Sequence, residues 1–569
     1  MLLKRVRLQN YRCFKDVEVE LAKVTVLIGE NNAGKTSFLD AIRLCLSRNM
    51  LRRSARLDDY DYHQPTTTTQ PRQLQPLTVT LDYVLAQDEP ESVVQALNDV
   101  IVFDADGMAH IVLRLQSQFD RNINDFTTEL RFLDGNGNSL SGSAQRSQNL
   151  TALFQFTPIF YLNALRDADR EFKPRSAYWS PFLRDKDIPD DRRDTLQLEL
   201  GRLNQELLAS HSPLQTAKRH LAKTQTVVAT GGGNRLEVDA LPMRVAQLLA
   251  NAQVSISAAT GATLPLERHG SGMQSLAVIF LFEAFLATML QEQYDPDATP
   301  ILALEEPEAH LHPAAVRALW NALTEIPGQE IISTHSGDLL SCVPLKCVRR
   351  FHHRDGAVAV KALQPGSLTE DEERKVEFHI QSSRGELLFA RCWLLCEGES
   401  EYWVFTQAAS IAGYDLDACG IRVVYNARIS GEEPLVKVAN DLGIHWYFVG
   451  DGDGQGQKSA ELVRRHLQGR AEAQHIFTFQ QANIEAFLCE AGYGAIFESH
   501  ISPQKRDRVV SEVGTRQYWA EVVDAQPNKD KPVRIREAML AMAKSGKDGV
   551  PQELTSILDA VVLLTKDNV

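Results

Sequence analysis

The chain has 569 residues, 44% of them hydrophobic and 24% charged, with a formal net charge of −14. Such a length holds roughly three or four domains of a soluble globular protein, and the acidic balance excludes a generally basic nucleic-acid binder, though not local basic patches or metal ions that bridge to phosphate. No apolar stretch is read as reaching the roughly 18 residues of a membrane span, the N-terminus lacks a signal-peptide core, and eight cysteines without a CxxC pair point to a reduced, cytoplasmic chain.

The first 40 residues read as three strands, a loop and a helix, with VTVLIG (24–29) as a buried strand and TSFLDAIRLCL at helical spacing. Residues 64–76 are polar and proline-rich, hence a loop. The segments 77–85, 110–119 and 125–134 alternate like half-exposed antiparallel strands. Residues 191–250 are mostly helical in pattern, broken by GGGN at 231–234, and carry no sustained heptads. A second αβ block begins near 265, and the charged stretch 361–375 reads as a boundary. Beyond it, apolar strands at 392–397, 421–425, 445–450 and 475–479 alternate with helices, which predicts a small parallel sheet. Cys392 and Cys396 lie on one of these runs and read as core.

GENNAGKT (29–36) fits GxxxxGK[ST] between a predicted strand and helix, the context that motif requires. Gly29 and Gly34 let backbone amides close around phosphates, with Asn31 and Asn32 between them. Lys35 faces the β- and γ-phosphates, Thr36 offers a hydroxyl to Mg²⁺, and Ser37 follows at the same helix start. ILALEEPEAHLHP (301–313) is an apolar strand ending in Glu305 and Glu306; one carboxylate would hold the Mg²⁺ shell and the other would orient the attacking water. EIISTHS (330–336) is a strand ending at His335, placed to sense a γ-phosphate. In RHGSGMQSLAVIFLFEAF (268–285), Ser271, Gly272 and Gln274 stand where a loop feeds a long helix and could offer a hydroxyl and amides to phosphate.

A second acidic grouping follows. WLLCEGESE (393–401) ends a strand in Glu397, with Glu401 one helical turn on, and HWYFVGDGDG (445–454) ends a later strand in Asp451 and Asp453. In a parallel sheet both ends can share the carboxyl-terminal edge, where ligands bind. Four clustered carboxylates repel unless a cation is present, and hard oxygen ligands select Mg²⁺ or Mn²⁺. A calcium loop fits poorly, because Gln455 and Leu462 stand at its fifth and twelfth positions. A solvated acidic turn is the other reading.

The order of P-loop, Ser-Gly loop with helix, strand with paired carboxylates and strand with histidine resembles ABC-type ATPase heads, in particular the SMC and RecF-like branch. There the Ser-Gly loop of one head completes the ATP site of another, so the resemblance implies a homodimer or a tetramer built from dimers. The signature here is GSGMQ rather than LSGGQ, and Glu305 stands where the usual Walker B residue is aspartate. The Glu-Gly-x-x-Glu and Asp-x-Asp pair resembles a TOPRIM domain. A head followed by TOPRIM resembles the OLD (overcoming lysogenisation defect) family of ATP-dependent nucleases.

The fold expected is therefore α/β, with a P-loop ATPase domain in two parts (1–190 and 251–370), a helical dimerisation insert (191–250) and a TOPRIM domain (385–569). The resemblance implies ATP and Mg²⁺, with Mn²⁺ as an alternative at the nuclease site. It makes Glu485 of NIEAFL a further metal ligand, beside a reading in which Asn483 caps a helix and Glu485 is at the surface. It also makes Lys547 of MAKSGKDGVP a catalytic residue, preferred to Lys544. Glu397, Glu401 and Asp451 are assigned to one ion, Asp453 and Glu485 to a second. The expected function is an ATP-regulated, metal-dependent DNA endonuclease or nickase in bacterial anti-phage defence, working alone, with a helicase, or with a reverse transcriptase and its non-coding DNA. The alternative is a RecF-like DNA clamp with a weak TOPRIM domain.

Overall fold

A computed structural model describes residues 1–47, 57–64, 74–163, 171–173, 176, 178–184, 188–222, 238–257, 263–354, 356–383, 385–425, 431–527 and 530–566. The proline-rich loop lies mostly outside these residues, and the GGGN break wholly so. Two compact units are present, one comprising residues 1–161, 299–308 and 316–569, the other 162–298 and 309–315.

In the first unit the N-terminal strands Leu2–Tyr11 and Phe14–Glu20 pair antiparallel, and Leu2–Tyr11 also pairs with Leu77–Val84. Leu77–Val84 pairs antiparallel with Ala109–Asp120, which pairs in turn with Asp125–Leu133. The expected alternation holds: every second residue of Leu77–Val84 is buried. Beside this sheet lies a second, six-stranded one, in the order Ala357–Lys361, Val348–Arg354, Val24–Gly29, Gln329–Ser333, Ile301–Glu305, Ile159–Leu162. Its second to fifth members run parallel, so the ends of Val24–Gly29, Gln329–Ser333 and Ile301–Glu305 share one edge. The apolar core of the head fills the space around the helix Lys35–Leu46, with Phe38, Leu39 and Ile42 fully buried.

The C-terminal part of this unit is a four-stranded parallel sheet in the order Ile421–Tyr425, Cys392–Cys396, His445–Gly450, Ile476–Thr478. Cys392–Cys396 is buried at all five positions because helices cover both faces of a parallel sheet. Its core includes both cysteines and the apolar faces of the helices Glu399–Ala412, Lys531–Ser545 and Gln552–Lys566. All eight cysteines carry free thiols.

The charged stretch at 361–375 leaves the strand Ala357–Lys361 and enters the helix Glu370–Ser382, started by a capping box in which Thr369 and Glu372 satisfy each other's backbone amides. Lys437 binds Glu372 at 2.9 Å and holds this helix to the parallel-sheet region.

The second unit holds the helices Asp190–Ser210, Ser212–Ala222 and Ser271–Thr288. The last has 18 residues and a mean hydropathy of 1.4, enough by length and composition to cross a membrane. This corrects the expectation that no stretch reaches that size: Ser275 and Glu283 interrupt the run without removing its apolar character. The helix buries Phe282 and Phe285 against Tyr178, with ring centroids 5.1 and 5.5 Å apart, as a core helix does.

Candidate functional sites: a phosphate loop and an acidic sheet edge

The phosphate loop leaves the strand Val24–Gly29 and enters the helix at Lys35. Gly34 caps that helix at φ 90°, and a Cβ there would sit 2.7 Å from Cys13 Sγ and Phe14 Cζ, so glycine is required twice over. Lys35 is 7% exposed, and its Nζ donates to the carbonyls of Gly29 and Glu30 at 2.9 Å each. Burial lowers its pKa to about 8, against the opposing pull of Glu306, Glu30 and Glu305.

Strand register explains why the other motifs meet this loop. Glu305 pairs with Ser333, and Ser333 with Leu27. Glu306 adopts a left-handed φ of 42° and its amide donates to the Ser333 carbonyl at 2.8 Å. His335 stands within the electrostatic reach of Lys35 and Glu306; burial and then Lys35 lower its pKa. The structure thus brings Lys35, Glu305, Glu306 and His335 together at one edge. It adds two residues that the sequence reading missed. Buried Glu308 accepts from Thr334 Oγ1, and Tyr161 bonds to Glu305. Glu308 was visible as the last carboxylate of EEPE; nothing marked Tyr161. Ser271, Gly272 and Gln274 form the first turn of the Ser271–Thr288 helix in the second unit, where Gln274 Nε2 donates to the His269 carbonyl at 2.8 Å.

The acidic edge forms in the same way. Cys396 pairs with Val449, so one step further Glu397 reaches the Gly450–Asp451 turn. Its Oε1 accepts the Asp451 amide at 3.0 Å. Gly456 closes over this pair: a Cβ there would lie 2.7 Å from Glu397 Oε1 and collide with the Asp451 carbonyl. Glu401, 4% exposed, follows one turn into the next helix. Asn483 caps the short helix Ile484–Leu488, as one reading had it, but Glu485 is 1% exposed rather than a surface residue. Its Oε1 accepts from Ser400 Oγ at 3.2 Å and pairs with Lys531 at 2.6 Å.

Burial first, then the neighbouring acids, push Asp451 to about 8; those acids are Glu401, Glu397, Glu485 and Asp453. Burial raises Glu397 to about 7, with Glu432, Asp453 and Glu401 adding to it. Glu401 is raised too, by burial and by Glu485. Asp451 and the four carboxylates that act on it stand around one edge; Glu485 acts on Glu401, and Asp453 and Glu401 both act on Glu397. Asp453 is committed in part as a helix cap, its Oδ1 accepting from Gln455 and Gly456 amides at 2.9 and 2.8 Å.

Two further residues were missed. Glu432, 2% exposed, acts on Glu397, and Lys531 pairs with Glu485 and also acts on Glu401 and Asp451. Lys-Pro at 531–532 signals a helix start, but nothing in it points at an edge formed by residues between 397 and 485. Lys547 lies in the exposed turn Gly546–Gly549 and Lys544 on the preceding helix; among the described residues neither makes an ion pair. Among the described residues no three Asp, Glu, His or Cys side chains converge as a ready coordination shell. The edge nonetheless suits a hard cation. Its donors are carboxylate oxygens, and the buried atoms Asp451 Oδ1 and Glu485 Oε2 have no hydrogen-bond partner among the described residues.

Fold and edge define a P-loop ATPase-like head continued into a TOPRIM domain. The chain belongs to the family described as "Protein of unknown function (DUF2813)", which matches residues 1–386, and its "Overcoming lysogenization defect protein-like, TOPRIM domain", matched at 388–453, makes it an OLD-family protein. It is similar to "Uncharacterized protein YbjD" of Escherichia coli K12, 28% identical over 569 residues, covering 100% of this chain and 99% of that one. It is 25% identical to the OLD nuclease of Thermus scotoductus, over 86% of this chain and 92% of that one. It is 21% identical to the Bacillus cereus "Endonuclease GajA", over 81% and 77% respectively.

Proposed function

We propose that the protein is an ATP-binding and ATP-hydrolysing, divalent-metal-dependent DNA endonuclease or nickase of bacterial anti-phage defence. The observation that carries this reading is the carboxylate edge: Glu401, Glu397, Glu485 and Asp453 all act on buried Asp451, whose Oδ1 has no hydrogen-bond partner among the described residues. A clamp with an idle TOPRIM domain has no need of such an edge. Glu397, Glu401, Asp451 and Glu485 would hold Mg²⁺ or Mn²⁺, with Asp453 completing the set. Cations bound there would supply activation of water and stabilisation of the leaving oxygen. The chain's own part is to fix the oxygens: the Asp451 amide orients Glu397, and Ser400 and Lys531 orient Glu485. Lys547 is proposed to reach the scissile phosphate.

In the head, Gly29, Asn31, Asn32, Gly34, Lys35, Thr36 and Ser37 would cradle the ATP phosphates, Glu305 would hold the Mg²⁺ shell, and Glu306 would orient water with His335 nearby. Ser271, Gly272 and Gln274 would complete the ATP site of a second copy. Such a site needs two heads, and exposed Leu198, Leu203 and Leu207 on the Asp190–Ser210 helix suit a dimer contact. Light scattering should then give at least twice the monomer mass of 63.6 kDa.

The main test is cleavage of supercoiled plasmid with Mg²⁺ or Mn²⁺, with and without ATP. Glu397→Ala and Asp451→Ala should each lower cutting by about a hundredfold or more, as loss of a metal-site group does, while ATP hydrolysis is retained. Lys35→Ala should weaken nucleotide binding, and Glu306→Gln should keep binding but slow hydrolysis. Wild-type levels of cutting in both acidic-edge variants would return that edge to a structural turn.

A further inference from the structure

The helices Glu399–Ala412 and Lys531–Ser545 bound a cavity of about 860 Å³ that begins at the acidic edge. Ser400 and Lys531 line it and both hold Glu485, so its inner end is continuous with the proposed cleavage site. Ile535 and Met539 form a buried apolar floor. Trp403 stands in the wall 48% exposed, its indole N–H donating to Glu399 Oε1 at 3.4 Å. Arg536 lies on the other helix, exposed, with no ion pair among the described residues.

An exposed indole, an apolar floor and two cations beside a phosphodiester-cutting edge are the elements with which proteins hold unpaired nucleic acid: bases stack on aromatic faces while cations follow the phosphates. The volume falls within the range of about 300–1,000 Å³ typical of small-ligand pockets, wide enough for a base and its sugar. A base within a duplex cannot enter such a slot without leaving its stack. Glu399 accepts from the indole N–H, Glu537 on the second helix is paired with His500 at 2.8 Å, and Lys531 is shared with Glu485. Arg536 is therefore the rim cation with no ion pair among the described residues. We propose that this cavity seats unpaired nucleotides of the strand being cut, with Trp403 stacking on a base and Arg536 and Lys531 meeting the flanking phosphates. The preferred substrate is then DNA with unpaired nucleotides next to the cut bond. This rests on the nuclease reading.

The test uses the full chain and oligonucleotides of one sequence in single-stranded, gapped and fully paired forms, with 2-aminopurine next to the gap. Binding is measured in Ca²⁺ by anisotropy, and cutting in Mn²⁺. Trp403→Ala should weaken binding of the single-stranded and gapped forms about tenfold, the loss expected of one stacked base, and should change the paired form much less. Trp403→Phe should restore most of it, and Arg536→Gln should reduce the salt dependence of binding. Quenching of 2-aminopurine by the wild type should disappear in Trp403→Ala. Unchanged affinity and quenching in Trp403→Ala, with wild type still cutting, would overturn this inference alone. Lost oligomer mass in Trp403→Ala with unchanged DNA binding would overturn it in favour of a second copy as the occupant. Wild type that neither binds nor cuts any of the three forms would remove the nuclease reading and this one together.

Discussion

At the scale of single residues, the acidic edge makes a prediction about pH. Burial and neighbouring acids hold Asp451 at about 8 and Glu397 at about 7. In an unfolded chain such carboxyls ionise near about 4. Between these values the folded state binds more protons, so stability is complete below the unfolded pKa and is lost as pH rises through the folded ones. A divalent cation selects the ionised form and works against that loss. Mn²⁺ should therefore raise Tm more at about pH 8 than at about pH 6, and should release protons as it binds. Buried Glu330 in the head, also pushed to about 8, adds slope of the same sign, so the metal-induced shift reports the edge and the slope alone does not. Calorimetry of the wild type and Asp451→Asn checks this. An equal Mn²⁺ shift at both pH values, kept in Asp451→Asn, would place the cation elsewhere.

At the scale of elements, what the sequence revealed divides by range. Strand ends, the phosphate loop and the two Glu/Asp motifs are local patterns, and the structure forms them where periodicity and glycine placed them. Parallel register then brings Glu397 to Asp451 without further information. Long-range partners were not legible: Lys531 meets Glu485, and Glu432 meets Glu397, through packing that no short window encodes. The start of the Glu370–Ser382 helix was not legible within the stretch 361–375, because its charges signal solvent equally in a linker and on an exposed helix face. Arg350 is a similar case. It lies on the strand beside the phosphate-loop strand, 5% exposed, and donates to the carbonyls of Leu388, Ala390, Leu442 and Gly443. One guanidinium thus satisfies four backbone groups of the TOPRIM region. Arg350→Met keeps much of the volume but leaves those carbonyls buried without a donor, at about 1–3 kcal/mol for each group left unpaired. We expect a fall of several degrees in Tm and greater proteolysis between the head and the parallel sheet; an unchanged Tm would mean that water replaces the guanidinium.

At the scale of the whole molecule, the question is how nucleotide at the head could alter an edge in another sheet. Two contacts lead from the head to the segment just before the strand Cys392–Cys396. Glu30, inside the phosphate loop, forms a two-pronged ion pair with Arg391 at 2.5 and 3.1 Å, and the His335 and Phe389 rings lie nearly parallel at 6.5 Å. That strand runs straight to Glu397. The Glu30 carbonyl also holds Lys35 Nζ, the ammonium for which the β- and γ-phosphates of a nucleotide would compete. The Glu30–Arg391 pair is partly exposed, so its worth to stability is small, about 0–1 kcal/mol, and its loss should leave the fold intact. What it fixes is the relative position of loop and strand. Arg391→Gln should accordingly retain plasmid cutting without ATP and retain ATP binding, while the ratio of cutting rates with and without ATP moves toward one. Restoring the charges in the reverse order, Glu30→Arg with Arg391→Glu, should recover part of the response if the contact itself transmits it. A ratio in Arg391→Gln equal to that of wild type would leave the pair as a tether and move the coupling to His335 and Phe389, where Phe389→Ala applies the same measurement.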